Sequence, residues 1–118
     1  MDLEKMIQDK GLTAPRITPA DVEANIVGEH YFTAEQGVEA VEGIGSFHPN
    51  KNTPNWEVLS LLTFCVLVLK NGFTVTGESA CASPENFDPE IGRKIARQNA
   101  EQKIWPLMGY VLKEKISS

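Results

Sequence analysis

Two cysteines, two histidines and a Gly-Glu-Ser step are the residues here whose types could carry a reaction. Cys81 lies in "GESACASP". A thiol becomes a nucleophile when a base or a positive dipole stands beside it, and His30 or His48 could be that base. The plainer reading of Cys81 is a small buried apolar residue. Gly77-Glu78-Ser79 matches only part of the G-x-S-x-G nucleophile elbow, because position 81 is Cys rather than Gly. Glu78 could be a catalytic acid, or could pair with Arg93, Arg97 or Lys103. Arg93 and Arg97 are one helical turn apart and could together grip a phosphate or carboxylate. With Lys94 and Lys103 they could also be a solvated basic strip balanced by Glu90 and Glu101. Trp56, in a loop rich in Pro and Asn, either anchors that loop or offers a stacking surface. The candidate binding residues are therefore Trp56, Glu78, Ser79, Arg93, Arg97 and Lys103, with no catalytic residue assigned. There is no C-x-x-C pair, so neither a metal site nor a cofactor is expected.

The chain that must position these groups has 118 residues, enough for a single domain over 1–118. Within it, residues 1–16 read as an N-terminal extension and 33–57 as a variable loop. Apolar residues make up 42% and charged residues 23%, which allows a packed core and argues against disorder. The formal charge is −5, and the acidic excess sits in residues 1–59, with ten acidic against four basic side chains. A phosphate backbone asks for the opposite balance, so non-specific nucleic-acid binding is not expected. No apolar run approaches the ~20 residues of a membrane helix, and "MDLEKMIQDKG" lacks the apolar segment of a signal peptide. A cytoplasmic protein is expected.

The local signals predict an α+β fold. A short helix over 1–11 precedes a linker over 12–17. Thr18, Pro19 and Asp21 form a strong helix start, with the helix expected to run from Pro19 to about Tyr31. "TAEQGVEAVEG" could add a helical turn or two, and "GIGSFHPNKNTPNWE" reads as loop. "LTFCVLVLKNGFTVTGESACAS" reads as a β-hairpin with Asn71-Gly72 as a two-residue turn. That turn pairs Val68 with Val75, Val66 with Gly77 and Phe64 with Ser79, and puts Thr74, Thr76 and Glu78 on the face of Cys65, Leu67 and Leu69. In this register Cys65 and Cys81 fall on opposite faces, so no disulfide between them is expected.

The final helix starts at Asp88 and Pro89. Gly92, Ala96 and Ala100, four residues apart and flanked by Ile91, Ile95 and Ile104, are the stripe laid on the hairpin. Pro106 is expected to kink or end the helix, with Leu107, Val111 and Leu112 buried beyond it. Both faces of the strand Leu61–Leu69 are apolar, so something besides that helix should cover the second face. A two-stranded sheet is marginal alone, which points to a third strand from 38–48, from 56–61 or from a partner subunit. A homo-oligomer is expected on the same ground.

The stretch "LLTFCVLVLKNGFTVTGESACASPENFDPEIGRKIARQNAEQKIWPLMGYVLK", with "ITPADVEANIVGEHYFTA" before it, resembles a family of small tailed-phage proteins. That family is known after gene product forty-nine of one podovirus and gene sixty-six of another. The resemblance covers roughly residues 17–32 and 61–113. It implies a phage or prophage origin and expression in a bacterial cytoplasm. It brings no activity and no site residues with it. Small size, acidic charge and the lack of a catalytic constellation lead to an accessory protein that acts by binding a host protein, such as a defence or regulatory component. One alternative is a protein that sequesters a small anionic ligand, such as a nucleotide signal, using Arg93 and Arg97. Another is a small enzyme using Cys81 or Glu78.

Overall fold

The computed structural model describes residues 2–42 and 54–118. Helix α1 (Leu3–Asp9) is capped by Asp2, whose carboxylate accepts from the Glu4 amide. Arg16 closes on Glu4 through two 2.7 Å hydrogen bonds. Helix α2 (Pro19–Ala24) begins with the expected Thr18 cap. The Thr18 hydroxyl accepts from the Asp21 amide, and the Asp21 carboxylate accepts from the Thr18 amide.

Contrary to expectation, α2 stops at Ala24, and strand β1 (Ile26–Thr33) follows at once. The segment "IVGEHYFT" is rich in β-branched and aromatic residues, which suit a pleated, half-buried surface better than a helix. It supplies the third strand, which the sequence reading sought in 38–48, in 56–61 or in a partner subunit. Residues 38–42 instead lie in helix α3 (Ala34–Glu42), and helix α4 (Pro54–Leu59) occupies much of 56–61. The rest of 38–48 lies outside the described residues, as do Phe47 and His48. Much of the expected 33–57 loop is thus helical, and Trp56 falls within α4.

Strands β2 (Leu62–Leu69) and β3 (Thr74–Ala80) form the predicted hairpin, and the sheet is antiparallel in the order β1-β2-β3. Its register differs by one residue from the expected one. Leu67 pairs with Val75, Cys65 with Gly77 and Phe64 with Glu78. The turn explains the slip. The Gly72 amide donates to the Leu69 carbonyl, the Leu69 amide donates to the Phe73 carbonyl, and only Gly72 has positive φ, +89°. That is a three-residue loop ending in a left-handed glycine, not a two-residue turn with two left-handed residues. A one-residue slip moves every β3 side chain to the other face. Val75 and Gly77 therefore join Cys65, Leu67 and Leu69, while Thr74, Thr76 and Glu78 turn outward.

Helix α5 (Pro89–Ser117) lies across the first of these faces. Asp88 caps it, accepting from the amides of Glu90 and Ile91 at 2.9 and 3.1 Å. Its buried residues are Gly92, Ala96, Ala100 and Ile104, the small-residue stripe continued by one isoleucine, while Ile91 and Ile95 are exposed. The core joins this stripe to Val22, Cys65, Leu67, Leu69 and Val75. Small residues let the helix backbone come very close to the sheet. A Cβ added at Gly77 would stand 2.2 Å from the Ala96 carbonyl oxygen and 2.3 Å from the Ala100 nitrogen.

The helix neither ends nor restarts at Pro106. Proline there removes the amide that would bond to Gln102, but Trp105 and Met108 pack against the core on either side of it and carry the helix through. The expected burial of Leu107 and Val111 is not found, since they are 38% and 52% exposed; Leu112 is half-buried. Ile104 is the last fully buried residue of the helix, and most residues beyond it are exposed.

The corrected register also changes why the cysteines stay apart. By alternation Cys65 and Cys81 now belong to the same side of the sheet. Cys81 stands four residues beyond Gly77, the partner of Cys65, or about 13 Å along the strand. Both are free thiols.

Candidate functional site

Two polar sites form in the space between α5 and β1, and they divide the arginine pair that the sequence reading joined. Arg97 faces the sheet and is held by three carboxylates. Its Nε donates to Glu29 on β1 at 3.1 Å, its Nη2 donates to Glu23 on α2 at 2.8 Å, and Nη1 bonds Glu101 one turn along α5. Next to it the Tyr31 hydroxyl donates to Glu29 at 2.5 Å. That hydrogen bond, with help from Arg97, holds the Glu29 carboxyl below the usual carboxylate range against the opposing effect of burial. Burial, and then the bond to Glu29, push the Tyr31 phenol far above its ordinary value. Burial alone would weaken the charge on Arg97, but its bonds to Glu29 and Glu23 outweigh that. Cys65, the cross-strand partner of Tyr31, is fully buried, and burial pushes its thiol up. Three carboxylates against one guanidinium leave this cluster net acidic: Arg97 is committed to its own carboxylates and does not stand open to a ligand.

Arg93, one turn earlier, has no carboxylate partner among the described residues. It stands instead at a pocket of about 290 Å³ whose wall includes Tyr31, Phe32, Thr33, Gln36, Thr63, Phe87 and Pro89. Two helix starts meet here. Thr33 caps α3 by accepting from the Gln36 amide at 3.2 Å, while the Gln36 side-chain oxygen accepts from the Thr33 amide at 2.9 Å. The α5 start contributes Pro89 and, just before it, Phe87. Thr63 is 3% exposed, and its hydroxyl has no hydrogen-bond partner among the described residues. Phe32 stacks on Phe64 at 5.3 Å between ring centres, on the sheet face away from α5.

The other sequence candidates lie apart. Glu78 is exposed on the outward face of the edge strand, away from the cations of α5, and its backbone carbonyl accepts from the Asn99 side chain at 2.8 Å. Ser79 is half-buried on the α5 side, across from Thr63. Lys103 is exposed and stands about 240° around the helix from Arg97. The Cys81 thiol donates to the Ser83 carbonyl at 3.2 Å. His30 is exposed on the sheet face opposite Cys65. Among the described residues, no group of three or more His, Cys, Asp or Glu is placed to hold a metal ion. No described helix is long and apolar enough to cross a membrane.

Sequence reasoning missed Glu29, Tyr31, Gln36, Thr63 and Phe87. The first two were hidden by reading 26–31 as helix. The alternation of Tyr31 and Glu29 with His30 and Phe32 was the signal that could have found them. Thr33-x-x-Gln36 is a capping-box pattern and was also readable.

A larger apolar groove, of about 650 Å³, opens at the far end of the molecule between α2, the β2–β3 turn and the last turns of α5. Phe73, Tyr110 and Val111 on its rim are 56%, 70% and 52% exposed.

Compared with known proteins, the chain matches the model of the Phage protein (N4 Gp49/phage Sf6 gene 66) family over residues 17–116, and it belongs to that family. The match runs through 33–57, which the sequence resemblance left outside, and begins beyond α1. No curated protein and no solved structure matches it.

Proposed function

We propose that this phage-family protein acts in the bacterial cytoplasm by binding, and that it interferes with a host defence or regulatory component. The carrying observation is the apolar groove at the end of α5. Phe73, Leu107, Tyr110 and Val111 are large apolar side chains gathered at one end and left open to solvent, the pattern of a protein-binding surface. The test is expression in a bacterium whose defence restricts a phage. The wild-type chain is expected to restore plaque formation. Leu107→Glu and Val111→Asp should abolish the effect while leaving the thermal midpoint within a few degrees, because both positions are exposed. Full activity in both variants would remove the groove from the account.

The homo-oligomer suits the second face of the sheet. There Phe64, Val66 and Val68 are half-buried, and α3 lies against Phe32 at one end. Light scattering at micromolar concentration checks it, and a strictly monomeric chain would count against it.

A second reading, sequestration of a small anionic ligand, is supported by the guanidinium of Arg93, which stands at its pocket and has no carboxylate partner among the described residues.

A further inference from the structure

We propose that the pocket between the starts of α3 and α5 binds a small organic oxyanion, a single ring carrying one carboxylate or phosphate group. The proposal rests on the sequestration reading and gives it a site and a ligand class.

The electrostatics of the wall are one-sided. Arg93 supplies a full positive charge, and the starts of two helices, α3 of nine residues and α5 of 29, add the positive ends of their dipoles. Among the described residues the wall contains no carboxylate. The nearest acidic cap, Asp88, is occupied by two amides of α5. The Gln36 side-chain oxygen is taken by the Thr33 amide, which leaves its NH₂ free to donate.

Thr63 is the independent sign of a ligand. A hydroxyl on a wholly buried residue ordinarily finds a partner, and this one has none among the described residues although it stands in the pocket wall. Gly92 lies directly behind it: a Cβ there would come within 3.1 Å of the Thr63 oxygen. The helix backbone is thus brought up to this hydroxyl without any side chain that could bond to it.

Size and shape set the rest. About 290 Å³ falls at the lower limit of small-molecule sites and suits one ring rather than an extended ligand. Phe87 and Tyr31 give flat apolar walls for that ring. Arg93 meets an oxyanion through a fork of N–H groups, which fits carboxylate and phosphate alike.

The experiment is a heteronuclear NMR titration of the full chain with three probes: inorganic phosphate, benzoate and phenyl phosphate. The expected result is saturable shifts at the amides of Thr33–Gln36 and Phe87–Arg93 with a ring-bearing probe, at least tenfold tighter than with phosphate alone. Benzoate against phenyl phosphate separates the carboxylate from the phosphate source. Arg93→Gln, at an exposed position, should weaken binding at least tenfold without loss of fold. Thr63→Val keeps the shape, removes the hydroxyl, and should weaken binding while the thermal midpoint holds or rises. Equal affinity for phosphate and the ring-bearing probes, or unchanged affinity in Arg93→Gln, overturns the proposal. Saturable binding mapped elsewhere overturns the pocket but leaves sequestration standing. No binding of any probe removes both.

Discussion

Replacing Gly77 with alanine puts one methyl group where the structure has no room. The added Cβ would meet the Ala96 oxygen at 2.2 Å and the Ala100 nitrogen at 2.3 Å, against ordinary contacts of 3.4–4 Å. Both obstacles are backbone atoms of α5, so no rotamer change relieves the clash. The helix must lift from β3 by about 1 Å, and a gap of that size forfeits a quarter to a half of each dispersion contact along the stripe. Overpacking typically costs about 1–3 kcal/mol, and a rigid obstacle puts Gly77→Ala at about 3 kcal/mol or more. For a domain of this size that lowers the thermal midpoint by roughly 10–20 °C. Two glycines of α5 calibrate the measurement. Gly109 has nothing within 4 Å of an added Cβ, so Gly109→Ala should stabilise by about 0.5–1 kcal/mol through helix propensity alone. Gly92→Ala comes tightly against the Thr63 hydroxyl, at 3.1 Å, with ordinary 3.7 Å contacts to Phe87 and the Thr63 Cβ, and should fall within about 1 kcal/mol of wild type. Urea unfolding followed by circular dichroism reads all three. If Gly77→Ala stays within about 1 kcal/mol of wild type, or if Gly109→Ala is equally harmful, the close-packed account of the helix and sheet is wrong.

Two further predictions concern the ionisable groups. Glu29 titrates below its unfolded value, so its stabilisation is present above about pH 4.5 and fades as the pH falls through the lower folded value. Tyr31→Phe removes the largest cause of that shift and should flatten the acid limb of a stability–pH curve more than Arg97→Met does, each costing about 1–2 kcal/mol at pH 7; the reverse order would reject the assigned roles. Cys65 is fully buried with its thiol pushed up, whereas Cys81 is half-buried. A thiol reagent should therefore modify one group in the folded chain, Cys81→Ser should abolish that reaction, and Cys65 should react only in denaturant.

Much of this fold was legible. The caps Thr18 and Asp88, the hairpin itself and the Gly92–Ala96–Ala100 stripe are local signals with local causes, and each formed as its chemistry requires. The errors came where two signals competed. Asn71-Gly72 is a strong turn signal, and taken as a two-residue loop it pulled Thr74, Thr76 and Glu78 onto the leucine face. The period-two pattern of β3 said the opposite, and burial decided in its favour, because three polar groups against Leu67 cost more than a change of turn type. Likewise the helix start at Thr18 was read too far, since capping fixes where a helix begins and not where it ends. The site was less legible for a physical reason. Arg93 and Arg97 look equivalent on a helical wheel. The tertiary placement of Glu23 and Glu29, about 70 residues earlier, uses up one and, among the described residues, leaves the other without a carboxylate partner.

The kind of atom that confronts each glycine also bears on how the sequence can drift. At Gly92 the obstacle is a side-chain oxygen, so a change there can be matched by a change at Thr63, and the two positions are free to move as a pair. At Gly77 the obstacles are the carbonyl oxygen of Ala96 and the amide nitrogen of Ala100, which every amino acid carries except for the hydrogen proline lacks. No second substitution on α5 can make room. Position 77 therefore has no compensating partner, and any lineage that alters it must move the whole helix or lose the fold.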